Sequence, residues 1–316
     1  MYKFMYGDEI VVNRSLLSVD NKSVLSIGNI MQIIGKQKSG KTGLAINIMA
    51  KLLGATMDLG VEATVCPNDK CVVYINTELS KSDFQRKIYT IYKLVDAKEN
   101  IDNFICLHLK GYGPKELRNK VLKEIEDISI NVLVIDGITD FINDFNSTNE
   151  TQHIADMLMK LTEGKCDGII NVIHQNPESS FNSKSRGHLG TMLQNKSEST
   201  LIMNKKETKL KKEYFTLSCE GVRNSDKFNN KQFEYNNLYN NLTPIAFEEK
   251  EEEGYDDLFN EIFTDNKELA SEELYNAIIE KLSVGRSTAI EIVKKCILIT
   301  KVGDSRKAKW KLNKEV

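Results

Sequence analysis

The sequence contains no run of about 18 apolar residues, so a transmembrane helix is excluded. It also lacks a dominant charge, because 43 basic residues stand against 45 acidic ones and leave a net charge of −2. This balance excludes a uniformly basic coat protein and a uniformly acidic, solvating chain. The first residues, MYKFMYGDEI, contain no apolar core of the signal-peptide type, so we expect a cytoplasmic protein.

Clustered cysteines are absent as well. The six cysteines are scattered, and only Cys66 and Cys71 are close, with four residues between them. A zinc site needs a second cysteine pair or histidines at ligand spacing, and the sequence offers neither. We therefore expect reduced thiols, and CPNDKC is typical of a turn between two strands.

The charge that is present is unevenly distributed. Residues 246–266 contain nine acidic residues and one lysine, whereas residues 267–316 carry a net charge of +4. An acidic stretch between two less acidic segments is typical of a linker, although its apolar residues also fit a short amphipathic helix. The length predicts about two domains. We expect a core at 1–247, an acidic linker at 248–266 and a small domain at 267–316.

Apolar runs alternate with helical patterns within residues 1–245, which predicts an α/β fold with a mostly parallel sheet covered on both faces. Beyond Ser199, two apolar runs flank a lysine-rich turn, which predicts antiparallel strands at the sheet edge. These lysines either touch a phosphate backbone or form a solvated hairpin. The predicted strands are 29–34, 71–75, 104–109, 131–135 and 168–173, and the predicted helices are 42–53, 81–94, 115–128 and 153–163.

A glycine-rich segment, GKQKSGKT, follows the first of these strands and opens a helix, as a phosphate-binding loop does. Its glycines let backbone N–H groups point inward at phosphate, and the helix adds the positive end of its dipole. We expect the Lys41 ammonium to reach the β and γ phosphates of a nucleotide and the Thr42 hydroxyl to ligate Mg²⁺. The predicted phosphate-binding residues are Gly35, Lys36, Gln37, Lys38, Ser39, Gly40, Lys41 and Thr42.

Two carboxylates follow predicted strands. Asp136 ends the apolar run NVLVID, where ligands of open α/β sheets bind, so we expect it to hold the metal through water. Glu78 follows VVYIN, and two interpretations stay open: it polarises the attacking water, or it is an acidic residue in the first turn of the next helix. Asp140 is more typical of a helix cap than of a ligand.

Five segments in order, GKQKSGKT, VVYINTELS, NVLVIDGITDF, IINVIHQN and SRGHLGT, resemble the RecA-like ATPases of the RepA and DnaB helicase type. The resemblance is closest to RepA-like AAA-family ATPases on plasmids and mobile elements of Bacteroides-type bacteria, and it extends over residues 24–247. It implies a RecA-like P-loop core with antiparallel edge strands and the hydrolysis of ATP with Mg²⁺. It also implies a homo-oligomer, such as a hexamer, that passes single-stranded DNA through its ring.

The resemblance implies roles for single residues. Glu78 matches the catalytic glutamate, and Asp136 matches the second nucleotide-binding motif. His174 and Gln175 match residues that sense the γ-phosphate and couple it to DNA-binding loops. Arg223 matches an arginine finger that acts in the neighbouring subunit's site.

A second arginine competes for the finger role. Arg186, with Gly187 and His188, lies in a segment that faces the ring channel or a neighbouring subunit in such proteins. The family's late-strand motif is Lys-x-Arg, and here the sequence is Gly-Val-Arg at 221–223, which puts the lysine role in doubt. The choice between Arg223 and Arg186 therefore stays open.

The last fifty residues have a pattern of their own. A helix at 268–282, a turn, a second helix at 288–296 and a basic hairpin resemble a winged helix, which implies contact with duplex DNA. A small packing or oligomerisation domain with a solvated basic face is the alternative. The basic residues of the predicted DNA surface are Arg286, Lys294, Lys295, Arg306, Lys307 and Lys309.

Three hypotheses about function follow. The first is an oligomeric, DNA-dependent ATPase, a replicative helicase or loader of a plasmid or mobile element, in which loops after Asp136 and Gln175 pass motion to DNA. The second is an ATP-switched regulator that binds DNA without unwinding it. The third is a phosphotransferase that acts on a small molecule.

Overall fold

The computed structural model describes residues 5–7, 9, 14–144, 146–175, 187–207, 212–223, 226–245, 256–263, 268–282, 285–295, 299–302 and 309–312. The chain divides into two compact units, Met1–Phe247 and Glu248–Val316. Within these described ranges, no helix combines the length and the apolarity needed to cross a membrane.

A nine-stranded sheet forms the centre of the first unit. The strands of this unit are, in chain order, β1 (Ser15–Val19), β2 (Lys22–Ser26), β3 (Asn29–Gly35), β4 (Glu62–Ala63), β5 (Cys71–Asn76), β6 (Phe104–His108), β7 (Ile130–Asp136), β8 (Cys166–His174), β9 (Ser199–Glu207), β10 (Glu213–Val222), β11 (Lys231–Asn236) and β12 (Asn241–Ile245). The order in the large sheet is β12-β11-β10-β9-β3-β8-β7-β5-β6, and β1, β2 and β4 form a small separate sheet. Neighbours from β9 to β6 are parallel, whereas β10, β11 and β12 are antiparallel, which confirms the predicted α/β sheet with antiparallel edge strands.

Helices cover both faces of the large sheet, as the alternating pattern predicts. They are α1 (Lys41–Leu52), α2 (Lys81–Val95), α3 (Pro114–Glu124), α4 (Thr148–Thr162) and α5 (Gly187–Lys196), with a short 3-10 helix at Ile138–Phe141. On one face α1 and α2 bury Ile46 and Ile91, and on the other α3, α4 and α5 bury Leu117, Ile154 and Leu189. Strand β7 is consequently buried along its whole length. The carboxyl ends of β3, β5, β7 and β8 therefore meet at one edge.

The second unit has its own core. It contains α6 (Asp256–Ile262), β13 (Leu269–Ala270), α7 (Ser271–Leu282), α8 (Arg286–Lys295), β14 (Ile299–Val302) and β15 (Lys309–Leu312), with an antiparallel sheet in the order β13-β15-β14. Phe259 and Phe263 are buried against Leu274 and Ile278 of α7. Residues 256–263, which the sequence assigns to the acidic linker, thus belong to this core because their phenylalanines pack into it.

Candidate nucleotide-binding site

The predicted phosphate-binding loop connects β3, which ends at Gly35, to α1, which begins at Lys41. Gly40 has φ +89, and a Cβ at this position would lie 2.8 Å from Leu242 Cδ1, so both the backbone and the packing require glycine. The Ser39 hydroxyl is buried and has no hydrogen-bond partner among the described residues. A buried hydroxyl of this kind needs a partner, and a phosphate oxygen held in the loop would supply one.

Lys41 is buried at the start of α1. Its ammonium donates to the carbonyl oxygens of Gly35 (3.0 Å) and Lys36 (2.8 Å), and its Nζ lies 3.1 Å from Nδ1 of His174. Burial lowers the pKa of Lys41 to about 8, although the negative charges of Asp136 and Glu78 act to raise it. An entering phosphate would take over these hydrogen bonds and restore the preference for the charged form.

Asp136 lies at the end of β7 and is 4% exposed. Its Oδ2 accepts hydrogen bonds from the Thr42 hydroxyl (2.9 Å), the Tyr74 hydroxyl (3.1 Å) and the Asn76 amide (3.4 Å). Burial raises the pKa of Asp136, and the hydrogen bonds from Thr42 and Tyr74 oppose this shift. The sequence motif identifies Asp136 and Thr42 but not Tyr74 and Asn76, whose contact with Asp136 depends on the pairing of β5 with β7.

The donor set fits magnesium. The Thr42 hydroxyl can donate its proton to Asp136 and still present a lone pair, so the two residues offer neighbouring hard oxygen ligands 2.9 Å apart. Magnesium is normally held by one or two such groups together with substrate phosphates. These two residues are the ones that would hold it here.

Glu78 lies in the turn between β5 and α2. The helix is capped by Ser80, and its first-turn acid is Asp83, so the structure does not use Glu78 in that turn. Instead, Glu78 Oε2 lies 3.5 Å from Nε2 of His174, and this hydrogen bond lowers the pKa of Glu78. The turn itself is held because the Leu79 N–H donates to Asn76 Oδ1 at 2.9 Å.

His174 thus connects two predicted catalytic groups. An ammonium can only donate, so Nδ1 of His174 accepts from Lys41, and a neutral ring then donates its Nε2 proton to Glu78. Gln175 follows, and its backbone N–H donates to the Gly35 carbonyl at 3.0 Å, which ties this end of β8 to the phosphate loop. The structure therefore brings Lys41, Glu78 and His174 together at the loop.

The two predicted DNA-coupling segments differ. The segment after Asp136 is held in place: Glu150 accepts hydrogen bonds from the Asn143 and Asp144 N–H groups, and Arg118 donates to the Phe141 carbonyl. The structure therefore gives no support to this segment as a moving loop. The segment after Gln175, including Arg186, lies outside the described residues, which resume at Gly187 and the exposed His188.

Arg223 lies at the far end of α5. Its guanidinium NH2 donates to the carbonyl oxygens of Asn195, Lys196 and Ser197 at 3.3–3.4 Å, so within its own chain it caps the carboxyl end of the helix. A role in a neighbouring subunit's site stays a prediction.

The basic residues predicted to contact DNA are partly engaged. In the lysine-rich turn, Lys205 pairs with Glu213 and Lys212 with Glu234, whereas Lys209 and Lys211 lie outside the described residues. These pairs favour the solvated hairpin. In the second unit, Arg286 is paired with Glu272, while Arg306 and Lys307 and the side chains of Lys294 and Lys295 lie outside the described parts.

Comparisons with known proteins identify the fold. No protein-family model matches the chain, and no curated protein sequence matches it. Among solved structures, a KaiC-like protein of the hyperthermophilic archaeon Pyrococcus horikoshii OT3 superposes with a TM-score of 0.53 at 10% identity, over 75% of this chain and 100% of that chain. The chain therefore has the RecA-like P-loop fold, as the motifs predict, whereas the closer affinity to the RepA and DnaB type stays a prediction.

Proposed function

We propose that the chain is an ATP-hydrolysing, DNA-dependent motor, a replicative helicase or helicase loader of a plasmid or mobile element that works as an oligomer. One observation carries the proposal: His174 contacts both the phosphate-loop Lys41 and Glu78, at 3.1 and 3.5 Å, directly before the segment predicted to contact DNA. A change in the phosphates at Lys41 can thereby reach that segment through one side chain.

The hydrolytic step follows from the same residues. Lys41 and the loop N–H groups would hold the phosphates, and Thr42 and Asp136 would hold a magnesium ion, which would supply positive charge to the phosphates. Glu78, kept ionised by its hydrogen bond to His174, accepts a proton from the attacking water. The water oxygen bonds to the γ-phosphorus while the bond to the ADP oxygen breaks, which gives ADP and phosphate.

Contact with DNA is supported by the second unit. We propose that it is a winged helix, because its order of helix, strand, two helices and two strands, with the antiparallel sheet β13-β15-β14, matches that arrangement. Such modules place a helix in the major groove and a hairpin on the backbone. We infer that this second unit binds duplex DNA and that the first unit binds single-stranded DNA.

An ATP-switched regulator that binds DNA without unwinding it is the second candidate. The observation that favours it is the position of Arg223, which caps α5 in its own chain instead of extending freely. A regulator needs slow ATP turnover and a preference for duplex over single-stranded DNA. The motor needs fast ATP turnover and a preference for single-stranded DNA.

The test is ATP turnover with and without single-stranded DNA, at several protein concentrations. We expect turnover to rise with DNA, to rise more than linearly with protein, and to fall by about 100-fold or more in Glu78→Gln, because the base is lost. Glu99→Gln, an exposed carboxylate elsewhere in the chain, is the matched control and should leave turnover unchanged. Turnover that ignores both DNA and protein concentration contradicts the motor.

A further inference from the structure

Tyr74 is a polar side chain in the interior of the sheet that no sequence motif accounts for. It lies in the middle of β5, is 0% exposed, and donates its hydroxyl proton to Asp136 Oδ2 at 3.1 Å. A buried hydroxyl requires a partner. Here that partner is the carboxylate expected to hold the metal.

The position of this hydroxyl is fixed from two sides. In the parallel pairing of β5 with β7, Tyr74 lies opposite Val134 and Asn76 opposite Asp136, so the tyrosine side chain reaches two residue pairs along the strands to meet the carboxylate. The Tyr74 ring packs against Phe84 of α2, with ring centroids 5.1 Å apart. The ring therefore cannot swing away from Asp136 without displacing the helix that follows Glu78.

Three donors converge on one oxygen of Asp136. Thr42, Tyr74 and Asn76 all bond Oδ2, and among the described residues none bonds Oδ1. A carboxylate held by one oxygen presents the other in a defined direction. Of the three donors, Thr42 belongs to the phosphate loop and is itself expected to hold the metal, whereas Tyr74 and Asn76 both belong to β5.

We propose that Tyr74 is a positioning residue for the metal site: its buried hydroxyl holds Asp136 Oδ2 and so presents Oδ1 to the magnesium ion that accompanies the nucleotide. The inference rests on the proposed function, since it concerns the same nucleotide site. Residues that form a hydrogen bond to a metal ligand are of this kind, and their substitution typically lowers metal affinity by about 10- to 100-fold.

The test is Tyr74→Phe in the full chain. The variant keeps the ring that packs on Phe84 and removes only the donor. We measure the binding of a fluorescent ATP analogue as a function of Mg²⁺ concentration, and the binding of Mn²⁺ by electron paramagnetic resonance with a non-hydrolysable analogue. We expect the half-saturating Mg²⁺ concentration to rise by about 10-fold, with a parallel loss of Mn²⁺ affinity. Nucleotide binding in the presence of a chelator should stay within about 2-fold of the wild type, because Tyr74 acts through the metal ligand.

Tyr92→Phe is the matched control. Tyr92 lies on α2, its hydroxyl accepts from the Ile101 N–H, and its ring packs near Phe104, away from Asp136. The control should leave the Mg²⁺ dependence unchanged. If thermal melting shows that Tyr74→Phe does not fold, the same titration is made on Asn76→Ala, which removes the other β5 donor together with the acceptor of the Leu79 N–H. Its expected shift is about 3-fold, since the Asn76 hydrogen bond is longer at 3.4 Å.

A folded Tyr74→Phe whose Mg²⁺ and Mn²⁺ affinities match the wild type overturns the inference, and so does a wild-type chain that binds nucleotide with no dependence on metal. The proposed motor can fail separately. A Mg²⁺ shift in Tyr74→Phe together with ATP turnover that DNA does not change supports the positioning role and contradicts the motor.

Discussion

At the scale of the residue, the side chains of the site are hydrogen-bonded to the loop backbone and to one another. Lys41 is bound to two carbonyl oxygens of its own loop and to His174, and Asp136 accepts three hydrogen bonds on one oxygen. A nucleotide that binds here therefore exchanges the present hydrogen-bond partners of Lys41 for phosphate oxygens. The free energy gained from phosphate contacts at Lys41 is offset by the contacts that Lys41 gives up.

The buried charge of Lys41 leads to a pH-dependent prediction. Burial lowers its pKa from 10.5 to about 8, so between these values the unfolded chain holds a proton that the folded chain has lost. The contribution of Lys41 to stability therefore rises with pH across this window. We expect the free energy of unfolding of Lys41→Met minus that of the wild type to be larger at pH 7 than at pH 9.5 by about 2 kcal/mol, because the substitution removes a buried charge that destabilises the folded wild type at pH 7.

The measurement is urea unfolding of the nucleotide-free chain at several pH values between 7 and 9.5. Lys81→Met, at the exposed start of α2, measures the effect of losing a surface charge. A Lys41→Met difference that stays constant over this range would show that the Lys41 ammonium is not destabilised by burial.

The residues of the site differ in how far the sequence predicts them. The phosphate loop is contiguous, so its residues and their roles follow from spacing and from the strand and helix on either side. Asp136 follows from its place at a strand end. Tyr74 and Asn76 are missed because their contact with Asp136 depends on which strands pair and in what register, and short-range patterns do not encode either. Their alternation within VVYIN, with both polar groups on one face, was the available signal.

At the scale of the element, α5 is fixed by hydrogen bonds at its middle and at its carboxyl end. Its carboxyl end is capped by Arg223, which follows β10, and Gln32 of β3 donates to the Gly190 carbonyl in its middle at 3.5 Å.

Capping by Arg223 has a measurable consequence. Arg223→Ala removes three hydrogen bonds to the last carbonyl groups of α5, so we expect faster amide exchange in α5 and a loss of about 1 kcal/mol in the free energy of unfolding. Arg86→Ala, on the exposed face of α2, is the matched control. Equal exchange in α5 for both variants would refute the capping role and leave the finger role as the reason for this arginine.

The pattern of apolar residues predicts the existence and type of the helices and strands, but it does not predict the residues at which they begin and end. Strands β3, β5 and β7 lie where the apolar runs predict them, because burial on both faces requires continuous apolar sequence. Helix α4 begins at Thr148 instead of the predicted 153, because Ser147 accepts from the Glu150 N–H and the polar first turn extends beyond the apolar pattern. Helix α3 ends at Glu124 instead of 128, since a turn precedes β7.

At the scale of the whole molecule, the chain combines a RecA-like unit with a small second unit that has a separate hydrophobic core. The two cores share no residue, so each unit has its own source of stability. We infer a division of roles, in which the first unit hydrolyses ATP and moves single-stranded DNA while the second binds duplex.

We propose that Glu78 activates the water that hydrolyses ATP and that it does so within a cooperating, DNA-driven oligomer. The most direct test mixes wild-type chains with Glu78→Gln chains at a fixed total concentration and measures ATP turnover on single-stranded DNA. If neighbouring subunits must act together, an equal mixture should retain well under half of the wild-type turnover, because most oligomers contain inactive subunits. Turnover that falls in simple proportion to the wild-type fraction, with no stimulation by DNA, would contradict a cooperating, DNA-driven oligomer.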